Sequence, residues 1–170
     1  KVVVFTESKR TQKYIASELR KNGFDEDDIL LFNGDFNDAI TKEIYRAWKV
    51  KNFGKTNYGR GVEYKHAIVD YFKEHSRILI VTDAGSEGLN LQFCRNIIFA
   101  EHCFDYSQRI QAEARIYRIG QNYDVNYYNL WCNVGLEKMI QSSLNKKSNL
   151  LNEIKKEIEK KGENNLKKLL

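Results

Sequence analysis

Gln111, Arg115 and Arg118 stand in the stretch QAEARIYRIGQ (111–121), at offsets of four and three among small and apolar neighbours. On an α-helix those offsets bring the three side chains within about 60° of one another. One amide and two guanidinium groups on a single stripe suit a site that clamps phosphate oxygens. Arginine offers a planar fork of donors and keeps its charge at any working pH. Arg118 also falls near a helix C-terminus, where a cation is favoured by the helix dipole. That explains one arginine and leaves Gln111 and Arg115 unexplained. Ile110, Ala112, Ile116 and Ile119 take the other positions and are expected to pack.

A second stretch, TDAGSEGLNLQ (82–92), follows an apolar run. Gly85 and Gly88 let the backbone turn tightly and approach a ligand. Thr82 and Ser86 offer hydroxyls, and the local N–H groups could hold a phosphate. An ordinary strand-to-helix turn would use the same glycines, and glycine content alone does not separate the two readings. NFGKT (52–56) holds the GKT of a phosphate loop. No strand precedes it, and Lys49 stands where the first glycine of G-x-x-x-x-G-K-[ST] belongs, so it is rejected. His66, His75 and His102 are too scattered for a triad or a metal site, and no metal ligand set is expected.

The elements that must position these groups follow from the apolar pattern. VVVFT (2–6), ILLFN (29–33), RILIVT (77–82), NIIFA (96–100) and VNYYNL (125–130) read as strands. The first four are almost continuously apolar, which suits a parallel sheet covered on both faces. Residues 7–22 form a helix closed by Gly23, and 63–74 a second. Residues 106–119 form a third, with Asp105 and Gln108 in capping-box spacing and Gly120 just past its end. Alternating strands and helices predict an α/β domain with right-handed crossovers. Ligands then gather beyond the carboxyl ends of the strands, which carry Thr6, Asn33, Thr82–Asp83 and Glu101. Residues 134–170 show no strand pattern and read as one or two amphipathic helices. The expected division is 1–133 for the α/β lobe and 134–170 for the helical extension.

The formal net charge is +5, and nine of the 28 basic residues against five of the 23 acidic ones fall after residue 130. A second basic excess lies in 42–60, where Lys42, Arg46, Lys49, Lys51, Lys55 and Arg60 face Glu43 alone. Tyr45, Trp48, Phe53 and Tyr58 interleave with these cations. That mixture suits a contact with a DNA backbone or a partner; equally, it suits a helical insertion whose aromatics pack on the lobe. The three cysteines, Cys94, Cys103 and Cys132, lack paired spacing and read as buried free thiols in a reducing compartment. No apolar run approaches the ~18 residues of a membrane span. The chain opens directly inside KVVVF, and no signal-like N-terminus is read there.

These stretches together resemble the second RecA-like lobe of superfamily-two helicases, and most of all the Swi/Snf-type DNA-dependent ATPases. TDAGSEGLNLQ is similar to that family's motif V, with its A-G-x-E-G-L-N-L core. QAEARIYRIGQ is similar to motif VI, Q-x-x-G-R-x-x-R-x-G-Q, and VVVFTES resembles motif IV. The resemblance covers residues 1 to about 145, with motifs V and VI in the expected order and separation. Ala114 replaces the usual glycine of motif VI. AEHCFDYSQ (100–108) stands where the family has an Asp followed by Trp-Asn-Pro. Lys65 takes the place of an Arg, and the segment around 38–62 exceeds the usual link.

The resemblance implies a RecA-like three-layer fold and a set of roles. Arg115 and Arg118 would reach the γ-phosphate of ATP held by another lobe, Arg118 as the arginine finger. Gln111 would orient the nucleotide or the attacking water. Gly88 and Asn90 would lie at the nucleotide edge of the cleft. Thr6 and Thr82 would contact the nucleic-acid backbone, with Lys49, Lys51, Lys55 and Arg60 as further DNA contacts. Gln121 is a family marker without an assigned chemistry. The phosphate loop and the Mg²⁺-holding Asp-Glu pair belong to a first lobe, expected before residue 1. The implied partners are that lobe and double-stranded DNA, and the implied location is a bacterial-type cytoplasm beside the nucleoid rather than a nucleus. The chain alone is expected neither to hydrolyse ATP nor to move on DNA. Two alternatives stay open: a catalytically inactive RecA-like module that binds DNA or protein, and an RNA-helicase lobe.

Overall fold

The computed structural model describes residues 1–55, 57–101, 106–130 and 135–167. Its elements run β1 (Val2–Thr6), α1 (Lys9–Lys21), β2 (Ile29–Phe32), α2 (Ala39–Lys51), α3 (Arg60–Glu74), β3 (Ile78–Thr82), α4 (Asp83–Ser86), β4 (Asn96–Phe99), α5 (Tyr106–Glu113), β5 (Asn126–Asn129) and α6 (Gly135–Lys167). The five strands form one sheet in the order β2-β3-β1-β4-β5, and every pairing is parallel. All five expected strands are present. Thr6 pairs in register with Thr82, so β1 and β3 end together at one edge.

Strand alternation sorts the apolar side chains between the two faces. Val3, Phe5, Leu30, Phe32, Leu79, Val81, Ile97 and Phe99 pack against Ile44 and Trp48 of α2 and Ala67, Ile68 and Phe72 of α3. Leu89, Leu91, Cys94, Ala112 and Ile116 complete that layer. Val4, Ile29, Ile78 and Ile80 point the other way, onto Ala16, Ile15 and Leu19 of α1. Each fully buried Leu, Ile or Phe contributes roughly 1.5–3 kcal/mol. The result is a three-layer, RecA-like α/β lobe.

Helix ends follow local chemistry. Ser8 caps α1 by accepting from the Thr11 N–H at 3.0 Å. Gly23, at φ +92, closes it: the Gly23 N–H reaches the Arg20 carbonyl and the Phe24 N–H the Leu19 carbonyl. Gln12, buried inside α1, donates to the carbonyls of Phe32 at 3.2 Å and Ile80 at 2.7 Å. That amide ties α1 to the end of β2 and the middle of β3.

One expectation changes and two open readings are decided. The basic segment contains a helix of its own, α2, capped by Asp38. Its Thr41, Ile44 and Trp48 recur at helical spacing and are buried, which is the helical-insertion reading. The helix expected over 106–119 ends at Glu113. After it the chain tightens, with the N–H groups of Arg115 and Ile116 bonding three residues back to Ala112 and Glu113. Gly120, at φ +94, therefore serves a later turn and does not close α5. The tail is a single helix, α6, which continues through Gly162 to Lys167. The proposed cap Asp105, and Cys103 and Cys132, lie outside the described residues. Cys94 is a buried free thiol, pushed up to about 12 by burial. No helix among the described residues is long and apolar enough to cross a membrane.

Candidate functional site

Although α5 stops early, Gln111, Arg115 and Arg118 line one open cleft of about 710 Å³, together with Gln92, Ala114, Tyr117 and Ile119. Helical periodicity does not bring them together. Gln111 is on the last turn of α5, whereas Arg115 and Arg118 stand on the irregular turn after it. Ile116 anchors that turn in the core. Ile110 and Ile119, expected to pack, are exposed instead, Ile119 fully so. With the helix ended, Ile119 no longer falls on the buried face.

The charges in the cleft are uncommitted. Glu113, the carboxylate nearest in sequence, pairs with Arg109 at 3.0 Å, and the Arg109 guanidinium also lies over the Phe99 ring. Neither Arg115 nor Arg118 meets a carboxylate among the described residues. Arg118 is exposed and Arg115 half-buried. Two uncompensated guanidiniums in an open cleft can take an external anion without first breaking an ion pair.

The 82–92 loop supports this cleft from below. Thr82 caps α4 by accepting from the Gly85 N–H at 3.3 Å. Gly85 packs so tightly on the end of β2 that a Cβ there would stand 2.6 Å from the Phe32 carbonyl oxygen. Gly88 has φ +72, and a Cβ on it would meet the Lys65 ammonium at 3.2 Å. Lys65, the replacement for the family's Arg, thus lies against this loop. The Leu91 N–H donates to the Arg115 carbonyl at 3.0 Å. Asn90 lines an adjoining groove of about 750 Å³ with Lys73, Arg95 and Gln121; Gln92 borders both openings. Asn90 therefore lines a neighbouring groove, and neither it nor Gly88 is part of the arginine cleft's lining.

At the strand ends the two threonines have internal partners. Thr6 is buried and donates to Glu101 at 2.8 Å; Thr82 is buried as the α4 cap. Both hydroxyls are thus engaged within the lobe. Glu101 is the hub there, accepting also from the Glu7 N–H and the Thr11 hydroxyl. Burial pushes its carboxyl up, but those hydrogen bonds prevail and hold it below the usual range. Glu7 and Asp83 are raised by burial and then by the Glu101 charge. Sequence reading placed Glu101 at a strand end; three donors converging from β1, the link after it and α1 give it its part.

The basic segment divides similarly. Lys49 pairs with the buried Glu63 at 2.5 Å, which also accepts from the Tyr45 hydroxyl at 2.7 Å. Lys51 pairs with Glu74 at 3.0 Å, and the Trp48 indole N–H donates to Asp70 at 2.7 Å. Arg60 lies over the Tyr64 ring. The contacts of Tyr45, Trp48, Lys49 and Lys51 clamp α2 to α3. Lys55, with Phe53 and Tyr58, remains exposed at the tip of the hairpin. Among the described residues no cluster of His, Cys, Asp or Glu could hold a metal ion.

The helicase conserved C-terminal domain matches residues 1–120 of the chain. The chain belongs to that family. It is 30% identical over 159 residues to an uncharacterized ATP-dependent helicase, YqhH, of Bacillus subtilis, spanning 94% of this chain and 24% of that protein. It is 34% identical over 93 residues to human TATA-binding protein-associated factor 172, covering 53% of this chain and 5% of that protein. The chain thus spans about a quarter or less of the curated relatives it matches. The C-terminal part of the Fun30 ATPase domain superposes with a TM-score of 0.60 at 22% identity, over 84% of this chain and 38% of that one. The C-terminal domain of Saccharomyces cerevisiae Dbp5 superposes with a TM-score of 0.53 at 10% identity, over 88% of this chain and 70% of that one. These superpositions establish the RecA-like fold. The resemblance to the second lobe of Swi/Snf-type helicases stands.

Proposed function

We propose that this helicase C-terminal lobe serves an ATP-driven translocase of the Swi/Snf type, acting on double-stranded DNA. The observation that carries the reading is the pair Arg115 and Arg118, in one open cleft with no carboxylate partner among the described residues. Arg118, the more exposed, is the arginine finger, neutralising charge on the phosphoryl group as it transfers. Arg115 holds the same phosphate chain, and Gln111 orients the nucleotide or the attacking water. A first RecA-like lobe of the same polypeptide supplies the nucleotide pocket and holds Mg²⁺, whose chemistry is to neutralise the phosphates. Closing the two lobes brings the finger to the nucleotide, and hydrolysis releases it.

The relative named for association with a TATA-binding protein supports DNA rather than RNA as the track, as do the EGLNL and RIGQ forms of the motifs. The proposed setting, as the sequence resemblance implies, is a bacterial-type cytoplasm beside the nucleoid. Of the basic segment, Arg46, Lys55 and Arg60 are exposed without a carboxylate partner among the described residues and are left for a DNA phosphate, whereas Lys49 and Lys51 are tied to carboxylates.

Arg118→Ala in the full-length protein tests the reading. DNA affinity stays close to wild type while ATP turnover falls on the order of 10³-fold or more. Wild-type turnover in that variant would overturn the finger assignment. Absence of DNA-stimulated turnover in the unsubstituted full-length protein would instead favour the inactive binding module.

A further inference from the structure

Arg118 stands on an arch that its own helix does not hold. The last helix-type bond runs from the Tyr117 N–H to the Glu113 carbonyl. Beyond Ile116, residues Tyr117, Arg118, Ile119 and Gly120 are exposed, so apolar burial does not fix them. The arch is tied down by polar bonds to the end of the 82–92 loop. Its first foot is the Arg115 carbonyl, which accepts from the Leu91 N–H at 3.0 Å. Its second foot is the Ile119 carbonyl, which accepts from the Gln92 side chain at 3.0 Å.

Gln121 closes the arrangement from the other side. Its amide nitrogen donates to the Gln92 carbonyl at 2.7 Å and the Cys94 carbonyl at 3.3 Å. Its amide oxygen accepts from the Tyr123 N–H at 3.2 Å. Its backbone N–H donates to the carbonyl of Arg118 itself at 2.9 Å. Each glutamine therefore donates its side-chain amide to the backbone of the other's segment, a reciprocal clasp across 27 to 29 residues of sequence. Gly120 makes room for it: φ is +94, and a Cβ there would lie 3.1 Å from the Gln92 amide nitrogen. Only a primary amide offers the two donors and one acceptor that Gln121 uses.

We propose that Gln92 and Gln121 are positioning residues for Arg118. They set the arginine's place in the cleft through the backbone on either side of it, so that its charge meets the transferring phosphoryl group. This rests on the arginine-finger reading above. A finger works only when held to a fraction of an ångström, and a displacement of about 1 Å costs on the order of 10²-fold in rate.

The test is a double-mutant cycle on kcat in the full-length protein, with Gln121→Leu, Arg118→Ala and both together. Gln121→Leu is expected to lower kcat roughly 10- to 100-fold, with the KM for ATP and DNA affinity within about twofold. In the Arg118→Ala background Gln121→Leu should cost nothing further, because the group it positions is gone. Gln92→Met removes only the bond to Ile119 and should show the same fall in kcat alone. It serves if Gln121→Leu fails to fold, as judged by its thermal melt. Additive losses in the cycle, or wild-type kcat in a folded Gln121→Leu and in Gln92→Met, overturn the clasp and leave the finger intact. Wild-type kcat in Arg118→Ala overturns the finger, and the clasp's role with it.

Discussion

Gly85 and Glu101 carry the strongest residue-scale consequences outside the arginine cleft. A methyl group on Gly85 would meet the Phe32 carbonyl oxygen at 2.6 Å, and backbone cannot swing aside as a flexible side chain can. Gly85→Ala is expected to destabilise the lobe by about 1–3 kcal/mol, as overpacking does; a thermal melt measures it, and an unchanged midpoint would refute the close approach. Glu101 acts through charge. Its folded pKa is depressed, so its contribution is complete above the unfolded value of about 4.3 and is lost as pH falls through the folded one. Glu7 and Asp83 are shifted upwards. They bind protons more readily in the folded state, weaken the fold above their raised values, and stop doing so as pH drops. Glu101→Gln removes one cause of both upward shifts. Carbon NMR titration should then show Glu7 and Asp83 ionising at lower pH than in wild type; unmoved midpoints would show that Glu101 does not couple to them.

At the scale of elements, the α2–α3 hairpin joins two kinds of basic residue that sequence alone treats alike. Lys49 faces a carboxylate buried beneath it, and its ammonium is held charged above its ordinary range by the Glu63 hydrogen bond. Lys49→Met should therefore lower the melting temperature, whereas Lys55→Gln should leave it unchanged and weaken DNA binding at low salt alone. Equal melting temperatures for the two variants would contradict the clamp. Within α3, Gly61 sits in the first turn with nothing within 4 Å of a Cβ. Gly61→Ala is expected to stabilise by roughly 0.5–1 kcal/mol, because alanine loses less backbone entropy in a helix. Element types were readable because each rests on local patterning: continuous apolar runs for β1 to β4, and the Gly23 C-cap for α1. The end of α5 was not readable. Ala114 to Ile119 keep good helical spacing, yet the Leu91 N–H takes the Arg115 carbonyl and the chain turns there.

For the whole molecule, the 170-residue chain is expected to bind and hydrolyse no ATP at a measurable DNA-stimulated rate, since the proposed finger needs a nucleotide presented by another lobe. A DNA-stimulated ATPase assay on the isolated lobe checks this, and turnover there would sink the two-lobe reading. The order of the elements, the parallel sheet, and motifs V and VI were all determined by the sequence, because apolar periodicity and motif spacing are local properties of the chain. The convergence of Gln111, Arg115 and Arg118 was foreseen for a partly mistaken reason: a helix stripe was expected, and a tied turn does the work. Only the tertiary structure decided which cations stay uncommitted. Pairs such as Arg109 with Glu113 could be read from spacing, but Lys49 with Glu63 and Lys51 with Glu74 form only where α2 lies on α3. The same holds for Gln121. Its amide meets residues 92 and 94 because two loops are folded against each other over the core, and hydrogen bonds between segments so far apart leave no periodic trace in the chain.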